Sequence, residues 1–583
     1  MTSSALGTAP FVLIDDQRPG GRAFLHSEPA GIVETRDPAE VQACLRSLDG
    51  RSAAGFIAYE AGHALERKLA PLARSPADGE PPLLWFGLFD RIQEVDVGVL
   101  LPDPAGAWAA PPRPLIERSA YEARVETVRR HIEAGDVYQV NLTFPAEVKV
   151  AGNPLALYAT IRRRARAGHG AIAFTGAHWI LSFSPELFFE IEGRRITARP
   201  MKGTAPRGAD PQSDREAARA LVEDPKQRAE NLMIVDLLRN DLSRVSKPGT
   251  VEVPALFAVE TYPTVHQMTS TVTAVLEDGR SAIDLIEAIF PCGSITGAPK
   301  IRAMEIIGGI EAGPRGVYTG SIGRVAPGGE AAFNVAIRTL VVPAGGGTAL
   351  LGLGSGIVAD SCARDEWLEC LAKGAFVADP ERSFDLVETM RFDPREGMPD
   401  LERHLGRLKR SADALGFAFD RHHARNELQA ATFRMPGLGK VRLMLSPSGA
   451  IAIEIRPLEP PPKEPVEVAI GRRPVPAEDF RLAHKTSDRA FYDDARSSSG
   501  AFEILFADEA GFVTEGSFTS LFVERRGRLV TPPLSRGLLP GVLRERLIEE
   551  GRAIEGDLVE ADLLGGFLIG NAARGLIRAR LGS

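Results

Sequence analysis

The chain has 583 residues, 44% of them hydrophobic and 25% charged, a composition ordinary for globular protein and long enough for several domains. Its net charge is −8 and its pI about 5.8, with no long basic run, which argues against nucleic acid or an anionic membrane as a partner. No apolar run is long enough to span a bilayer. The start, Met1-Thr2-Ser3-Ser4-Ala5, lacks the basic region and apolar core of a signal peptide. Cys44, Cys292, Cys362 and Cys370 match neither a zinc motif nor a redox pair, so a reducing, cytoplasmic setting is expected.

In chain order, residues 10–110 mix apolar runs with Gly and Pro breaks and read as strands joined by loops. The stretch 103–114 is rich in Pro and Ala and reads as a linker. Ser119 is a candidate N-cap for a helix over 121–134, with Val125, Val128 and Ile132 on one side. Residues 136–144 alternate as a strand does. Gln139 and Asn141 share one face of it, either a polar exterior or the wall of a site. Residues 179–191 read as a strand pair around Ser184-Pro185-Glu186, leading toward Arg199-Pro200-Met201-Lys202-Gly203-Thr204. There a Pro fixes the backbone and a Gly permits a tight turn behind a lone Lys. Such a Lys is either a surface residue or, where burial or positive charge keeps part of it neutral, a nucleophile.

Residues 214–245 read as largely helical and carry Glu230. A short helix over 282–290 runs into a loop, 291–300, whose Ser294, Thr296 and Gly297 either aim donors at an anion or serve only as a connection. Strands follow at 320–323 and 333–339, the latter containing Arg338, and a third leads to 353–360, with Gly354 and Gly356. Helix 365–376 sets Glu366, Glu369 and Lys373 at i, i+3 and i+7, on one face. That face is either solvated or a carboxylate pair suited to a hard cation such as Mg²⁺. The style of motif changes between residues 375 and 385, so two domains are expected, 1–378 and 379–583. The second contains a Pro-rich connector, 457–465, and segments around Lys485, around Glu515 and at Pro540-Gly541-Val542-Leu543.

On these motifs, residues 115–378 resemble the chorismate-utilising enzymes, which include the synthases of anthranilate, isochorismate and aminodeoxychorismate; the likeness over 10–110 is fainter. The last 200 residues resemble the fold-type IV pyridoxal-phosphate enzymes, notably 4-amino-4-deoxychorismate lyase. The resemblance implies a large α/β unit of packed, mostly antiparallel sheets with flanking helices, followed by a two-lobed α+β unit. It also implies roles. The Lys202 position is Lys in aminodeoxychorismate synthases and Ala in typical anthranilate synthases; it would attack C2 of chorismate as the C4 hydroxyl leaves, and ammonia would then enter at C4. Gln139 stands where water-adding relatives have a Lys base, which implies an amine nucleophile. Glu186 matches the general acid.

Glu230, Glu366 and Glu369 match the surroundings of Mg²⁺. Arg338, Lys373, the Ser294–Thr296–Gly297 loop and Gly354 with Gly356 match substrate-holding positions. The chain departs from its relatives at Gln227, often Glu, and at Gln267, often His. It has no Gly-x-Cys-x-Gly elbow for glutamine hydrolysis, so a separate glutaminase subunit is the expected ammonia source.

In the second domain Lys485 matches the lysine that bonds to pyridoxal 5'-phosphate, and Glu515 the carboxylate at its ring nitrogen. Arg407, with the backbone of Val542 and Leu543, matches the phosphate site. Ser520 stands where Asn is frequent. The resemblance implies pyruvate elimination to give 4-aminobenzoate, the folate precursor, and a homodimer through this domain. An aminotransferase or a non-catalytic docking module in the second domain, and anthranilate synthesis in the first, are the alternative readings.

Overall fold

The structure, a computed structural model, describes residues 6, 9–18, 20–261 and 265–582; Met1–Ala5, read above for a leader, lie outside them. The chain divides into two compact units. One holds the residues up to Pro102, with Pro111–Val148 and Tyr158–Ala378; the other holds Asp103–Ala110, Lys149–Leu157 and the residues from Asp379 onward. Both mix strands and helices, the first as large sheets with flanking helices and the second as a smaller α+β unit. Among the described residues no helix is long and apolar enough to cross a membrane.

In the first unit one sheet runs in the order Gly297–Ala298, Gln139–Ala151, Gly347–Ile357, Thr339–Pro343, His178–Ser184, His169–Phe174, Phe11–Asp15, Ala23–Ser27 and Arg91–Glu94. The other runs Met201–Pro206, Val265–Val275, Arg195–Arg199, Leu187–Glu192, Ala331–Val335, Ser321–Val325, Ala53–Ile57, Leu84–Leu88 and Gly31–Thr35. Val12, Ala173 and Ile180 of the first sheet and Phe56, Trp85 and Ile322 of the second form one buried cluster, so the sheets pack face to face. Helices Pro225–Ser243 and Ala282–Ile289 cover the second sheet through Ile234, Leu238, Ile283 and Ile286. Each of these fully buried side chains contributes about 1.5–3 kcal/mol of transfer free energy.

The expected strand pair around Ser184-Pro185-Glu186 is not a hairpin. His178–Ser184 pairs with Thr339–Pro343 in one sheet, whereas Leu187–Glu192 pairs with Ala331–Val335 in the other. The chain changes sheets at Pro185-Glu186. It does so again at Ala336–Arg338, where Arg338 has φ of +50° and its carbonyl accepts from Phe183 N at 3.0 Å. An alternating pattern is the same whichever sheet a strand joins, so residue types alone did not distinguish a crossing from a turn. The expected cap Ser119 lies inside helix Arg118–Glu133, whose N-cap is Glu117.

Residues 103–110 are not a tether. The Trp108 indole N–H donates to the Leu415 carbonyl at 2.9 Å, its ring meets Phe384 edge-on at 4.7 Å, and Trp108–Ala109 pairs with the strand at Val150–Ala151. One buried Trp outweighs a Pro- and Ala-rich composition. The second unit has an antiparallel sheet of Leu386–Phe392, Gly439–Leu445 and Ile451–Pro457, backed by helices Leu401–Leu415 and Arg421–Thr432. A larger mixed sheet is centred on Val466–Arg472, Gly575–Leu581 and Phe567–Asn571.

Candidate active sites

In the first unit, Lys202 sits on the strand Met201–Pro206. Met201 pairs with Thr269 and Thr204 with Gln267, which leaves a bulge at Lys202-Gly203. Gly203 takes φ of +99°, a conformation a side chain would strain, and a Cβ there would meet Gln227 Oε1 at 3.1 Å. A bulge of this kind turns a side chain out of the sheet's alternation. The backbone is held from behind: Asn231 Nδ2 donates to the Lys202 carbonyl at 3.3 Å, and Ser270 Oγ donates to Asn231 Oδ1 at 2.6 Å.

The amine ends beside Gly356, where an added Cβ would lie 2.9 Å from Lys202 Nζ and 3.0 Å from Gln139 Nε2. Lys202, Gln139 and Gly356 therefore share one point in space. Gln139 is fully buried, and neither atom of its amide has a hydrogen-bond partner among the described residues. Leaving such a group unpaired costs about 1–3 kcal/mol, which a polar ligand recovers. The polar-exterior reading of this face is thereby ruled out.

Burial lowers the Lys202 amine's pKa and Lys373 adds to this, against the pull of Glu230, Glu186 and Glu369. Burial raises Glu186 to about 7, although the Ser294 hydroxyl and Lys202 pull the other way. Its Oε1 has no partner among the described residues. The pocket thus holds an amine made easier to deprotonate beside a carboxyl that keeps its proton near neutrality.

The three remaining carboxylates stand near one another. Burial raises the Glu230 carboxyl's pKa, and Glu366 and Glu369 add to the rise against Lys202 and Lys226. Lys373, 2.7 Å away, holds the Glu369 carboxyl's pKa down despite burial. Glu366 accepts from Ser361 Oγ at 2.7 Å, and Lys373 Nζ donates to the Gly354 carbonyl at 3.1 Å. Among the described residues these carboxylates do not close into a ready cage. Their chemistry, mutually repelling oxygen donors, nonetheless suits a hard divalent cation.

The Ser294–Gly297 loop is fixed from beneath by Arg315, which was not singled out above. Its guanidinium donates to the Ile295 carbonyl at 2.9 Å and the Asn141 carbonyl at 2.7 Å, pairs with Glu311, and stacks 4.5 Å over Tyr59. Glu60 accepts from the backbone N–H groups of Arg315 and Gly316. Thr296 Oγ1 donates back to the Cys292 carbonyl at 3.1 Å. Gly297 leaves no room for a Cβ, which would fall 2.1 Å from the Gln139 carbonyl. The i, i+4 pair Glu311–Arg315 was the available sequence signal, but only the folded chain places it under this loop.

In the second unit, Lys485, Glu515, Arg407, Val542 and Leu543 line one cavity of about 600 Å³. The Lys485 carbonyl accepts from Val387 N at 2.8 Å, and its Nζ donates to Thr389 Oγ1 at 3.4 Å. Burial brings its amine down to about 7, and Arg407 adds to this. Burial pushes the Glu515 carboxyl's pKa up; it accepts from the Tyr492 hydroxyl at 2.6 Å and Leu539 N at 3.1 Å.

Arg407 is anchored on buried Glu388 through Nε at 2.8 Å and Nη2 at 2.6 Å, and Nη1 donates to the Pro540 carbonyl at 3.1 Å. Arg407 and His404 hold Glu388 at about 2 against the effect of burial. Helix Val542–Glu549 starts after Gly541, and its first residues, Val542 and Leu543, line the same cavity, where a helix start leaves N–H groups unpaired by the helix itself. A Cβ on Gly541 would meet Ser520 Oγ at 2.6 Å. An amine of low pKa, a buried carboxylate and a helix N-terminus suit pyridoxal 5'-phosphate in size and chemistry. The sequence motifs assign Thr389, Glu388 and Tyr492 no role, because their contacts with Lys485, Arg407 and Glu515 arise only in the fold.

These two sites define a two-part enzyme, a lysine–carboxylate pocket in one unit and a cofactor-sized cavity in the other. Residues 17–379 match the chorismate binding enzyme profile, and the chain belongs to that family. Residues 385–581 match amino-transferase class IV, so a chorismate-binding domain is fused to a class IV aminotransferase-like domain. The chain is 44% identical over 260 residues, 44% of its length, to the aminodeoxychorismate synthase of Streptomyces griseus, and 45% identical over 256 residues, again 44%, to aminodeoxychorismate synthase component 1 of Salmonella typhimurium. These matches span 36% and 56% of those relatives' own lengths. The crystal structure of anthranilate synthase component I from Streptococcus pneumoniae TIGR4 is similar over 62% of this chain and 92% of that one, with a TM-score of 0.53 and 26% identity.

Proposed function

We propose that the first unit aminates chorismate to 4-amino-4-deoxychorismate and the second releases pyruvate from that product to give 4-aminobenzoate. The observation that carries the first half is the convergence of Lys202 Nζ and Gln139 Nε2 at Gly356, beside buried Glu186. The neutral Lys202 amine forms a bond to C2 of chorismate. Glu186 gives its proton to the C4 hydroxyl, which leaves as water. Ammonia then bonds to C4, and the bond between Lys202 and C2 breaks. Gln139 lacks a basic atom and so leaves water unactivated in this pocket. Glu230, Glu366 and Glu369 would hold Mg²⁺, which supplies charge to neutralise a substrate carboxylate. Relatives named component 1 support a second component, and a separate glutaminase is the proposed ammonia source.

In the second unit Lys485, Glu515 and the helix start at Val542 and Leu543 would hold pyridoxal 5'-phosphate, which when bound supplies an electron sink. Lys485 would take the proton from C4 of the substrate, and Glu515 would pair with positive charge on the cofactor's ring nitrogen. A pair of these units as a homodimer is part of the proposal. The class IV match favours one second reading, in which this unit transfers an amino group instead.

Purified chain incubated with chorismate, ammonium, Mg²⁺ and pyridoxal 5'-phosphate tests both halves by chromatography. Equal 4-aminobenzoate and pyruvate are expected. Aminodeoxychorismate alone would turn the second unit to the aminotransferase reading, and anthranilate would overturn the role given to Lys202.

A further inference from the structure

The cavity around Lys485 is lined by more cations than its own carboxylates neutralise. Arg407 is paired with Glu388, Arg456 with Glu454, Arg496 with Asp493 and Arg574 with Glu459, whose charge Lys440 also faces. Arg442 and Arg489 line the same cavity and form no ion pair among the described residues. Among the described residues Arg442 Nε and Arg489 Nη1 are buried without a hydrogen-bond partner, and Arg489 Nη2 makes one long contact, 3.5 Å, to the Ser517 carbonyl.

Burial lowers the Lys485 amine's pKa most, and both guanidiniums act on it in the same direction. Arg442 is the cross-strand partner of Thr389, the residue that accepts from Lys485 Nζ, so its side chain leaves the sheet on the face where that amine lies. Arg489 stacks 4.7 Å over Tyr492, whose hydroxyl donates to Glu515, and so stands toward the carboxylate end of the cavity. Glu515 acts on Arg489 through space without a hydrogen bond; a half-buried guanidinium with no hydrogen-bonded anion is costly, and its fork geometry matches a carboxylate. With the phosphate end given to Arg407 and the helix at Val542, these two forks, neither hydrogen-bonded to a carboxylate among the described residues, are left for anions that the substrate brings.

We infer that Arg442 and Arg489 each receive one carboxylate of the substrate, so that this pocket selects a compound with two carboxylates over an amino acid with one. The inference rests on the pyridoxal 5'-phosphate reading of the cavity given above. It gives the choice between the proposed dicarboxylate and a small monocarboxylate amino acid a structural basis.

The test uses the full chain loaded with pyridoxal 5'-phosphate and two rigid probes, benzene-1,3-dicarboxylate and benzoate. Their affinities are read by calorimetry and by the shift of the cofactor's visible absorption. The wild type is expected to bind the dicarboxylate about tenfold or more tightly than benzoate. Arg442→Gln and Arg489→Gln should each bring that ratio close to one, while Arg442→Lys and Arg489→Lys, which keep the charge, should retain part of it. The absorption of bound cofactor reports that each variant is folded. A wild-type ratio near one, or a ratio unchanged in both Gln variants, overturns the inference. Pyruvate release from aminodeoxychorismate is measured in parallel. Normal release with a ratio near one removes this inference alone, and absent release with a high ratio removes the lyase reading alone.

Discussion

Lys202 and Gly356 meet so closely that a Cβ on the glycine would stand 2.9 Å from the lysine's Nζ. The glycine is the floor on which the amine rests, and both atoms that a methyl would meet there, Lys202 Nζ and Gln139 Nε2, are ends of flexible side chains. Gly356→Ala is therefore expected to cost little stability and to displace the nucleophile. Chorismate amination should fall about 100-fold, the scale set by a misplacement near 1 Å. Pyruvate release from supplied aminodeoxychorismate should be unchanged. Steady-state kinetics of the two half-reactions check this, and full amination by the variant would remove the amine from that position.

Glu186 predicts a pH profile. Burial holds its carboxyl at about 7, and the proposed acid acts only while protonated. The rate constant kcat/KM for chorismate should fall about tenfold per unit above about pH 7, and a separate acid limb should report protonation of the Lys202 amine. Glu186→Gln should abolish that limb and lower the rate about 10²–10⁴-fold. A variant that keeps the alkaline limb would assign it to another group.

Lys485 carries the second reaction. Lys485→Ala should let aminodeoxychorismate accumulate without pyruvate, at an undiminished rate of chorismate consumption. Chromatography with a coupled pyruvate assay measures both. Continued 4-aminobenzoate formation at the normal rate would take Lys485 out of the chemistry.

Trp108 tests the packing of residues 103–110. Its indole is buried against Phe384 and donates to the Leu415 carbonyl. Trp108→Ala should destabilise the second unit by about 3–5 kcal/mol, measured by chemical denaturation. A change under about 0.5 kcal/mol, the range of surface substitutions, would restore the linker reading.

Much of both sites was legible because their residues sit in short, ordered motifs. Glu366, Glu369 and Lys373 share a helix face by spacing alone, and the Pro-Met-Lys-Gly frame announced a fixed amine. The local conformation was less legible. Gly203 was read as permitting a turn and instead sits in a bulge, because the pairing partner that defines the bulge, Val265–Val275, lies some sixty residues on. The crossings at Pro185-Glu186 and at Arg338 were hidden for a related reason, since period-two alternation does not name the sheet a strand will join. Arg315 was missed because its role depends on contacts to Ile295, Asn141 and Tyr59, which only the fold brings together.

The covalent role of Lys202 is tested most directly by mass spectrometry. The full chain is mixed with chorismate and Mg²⁺ in the absence of ammonia, quenched, and digested. The peptide containing Lys202 is predicted to gain the mass of chorismate less one water, and the gain should disappear on adding ammonium and in Lys202→Ala. Amination that proceeds at full rate with no such adduct, or that survives Lys202→Ala, would contradict the mechanism.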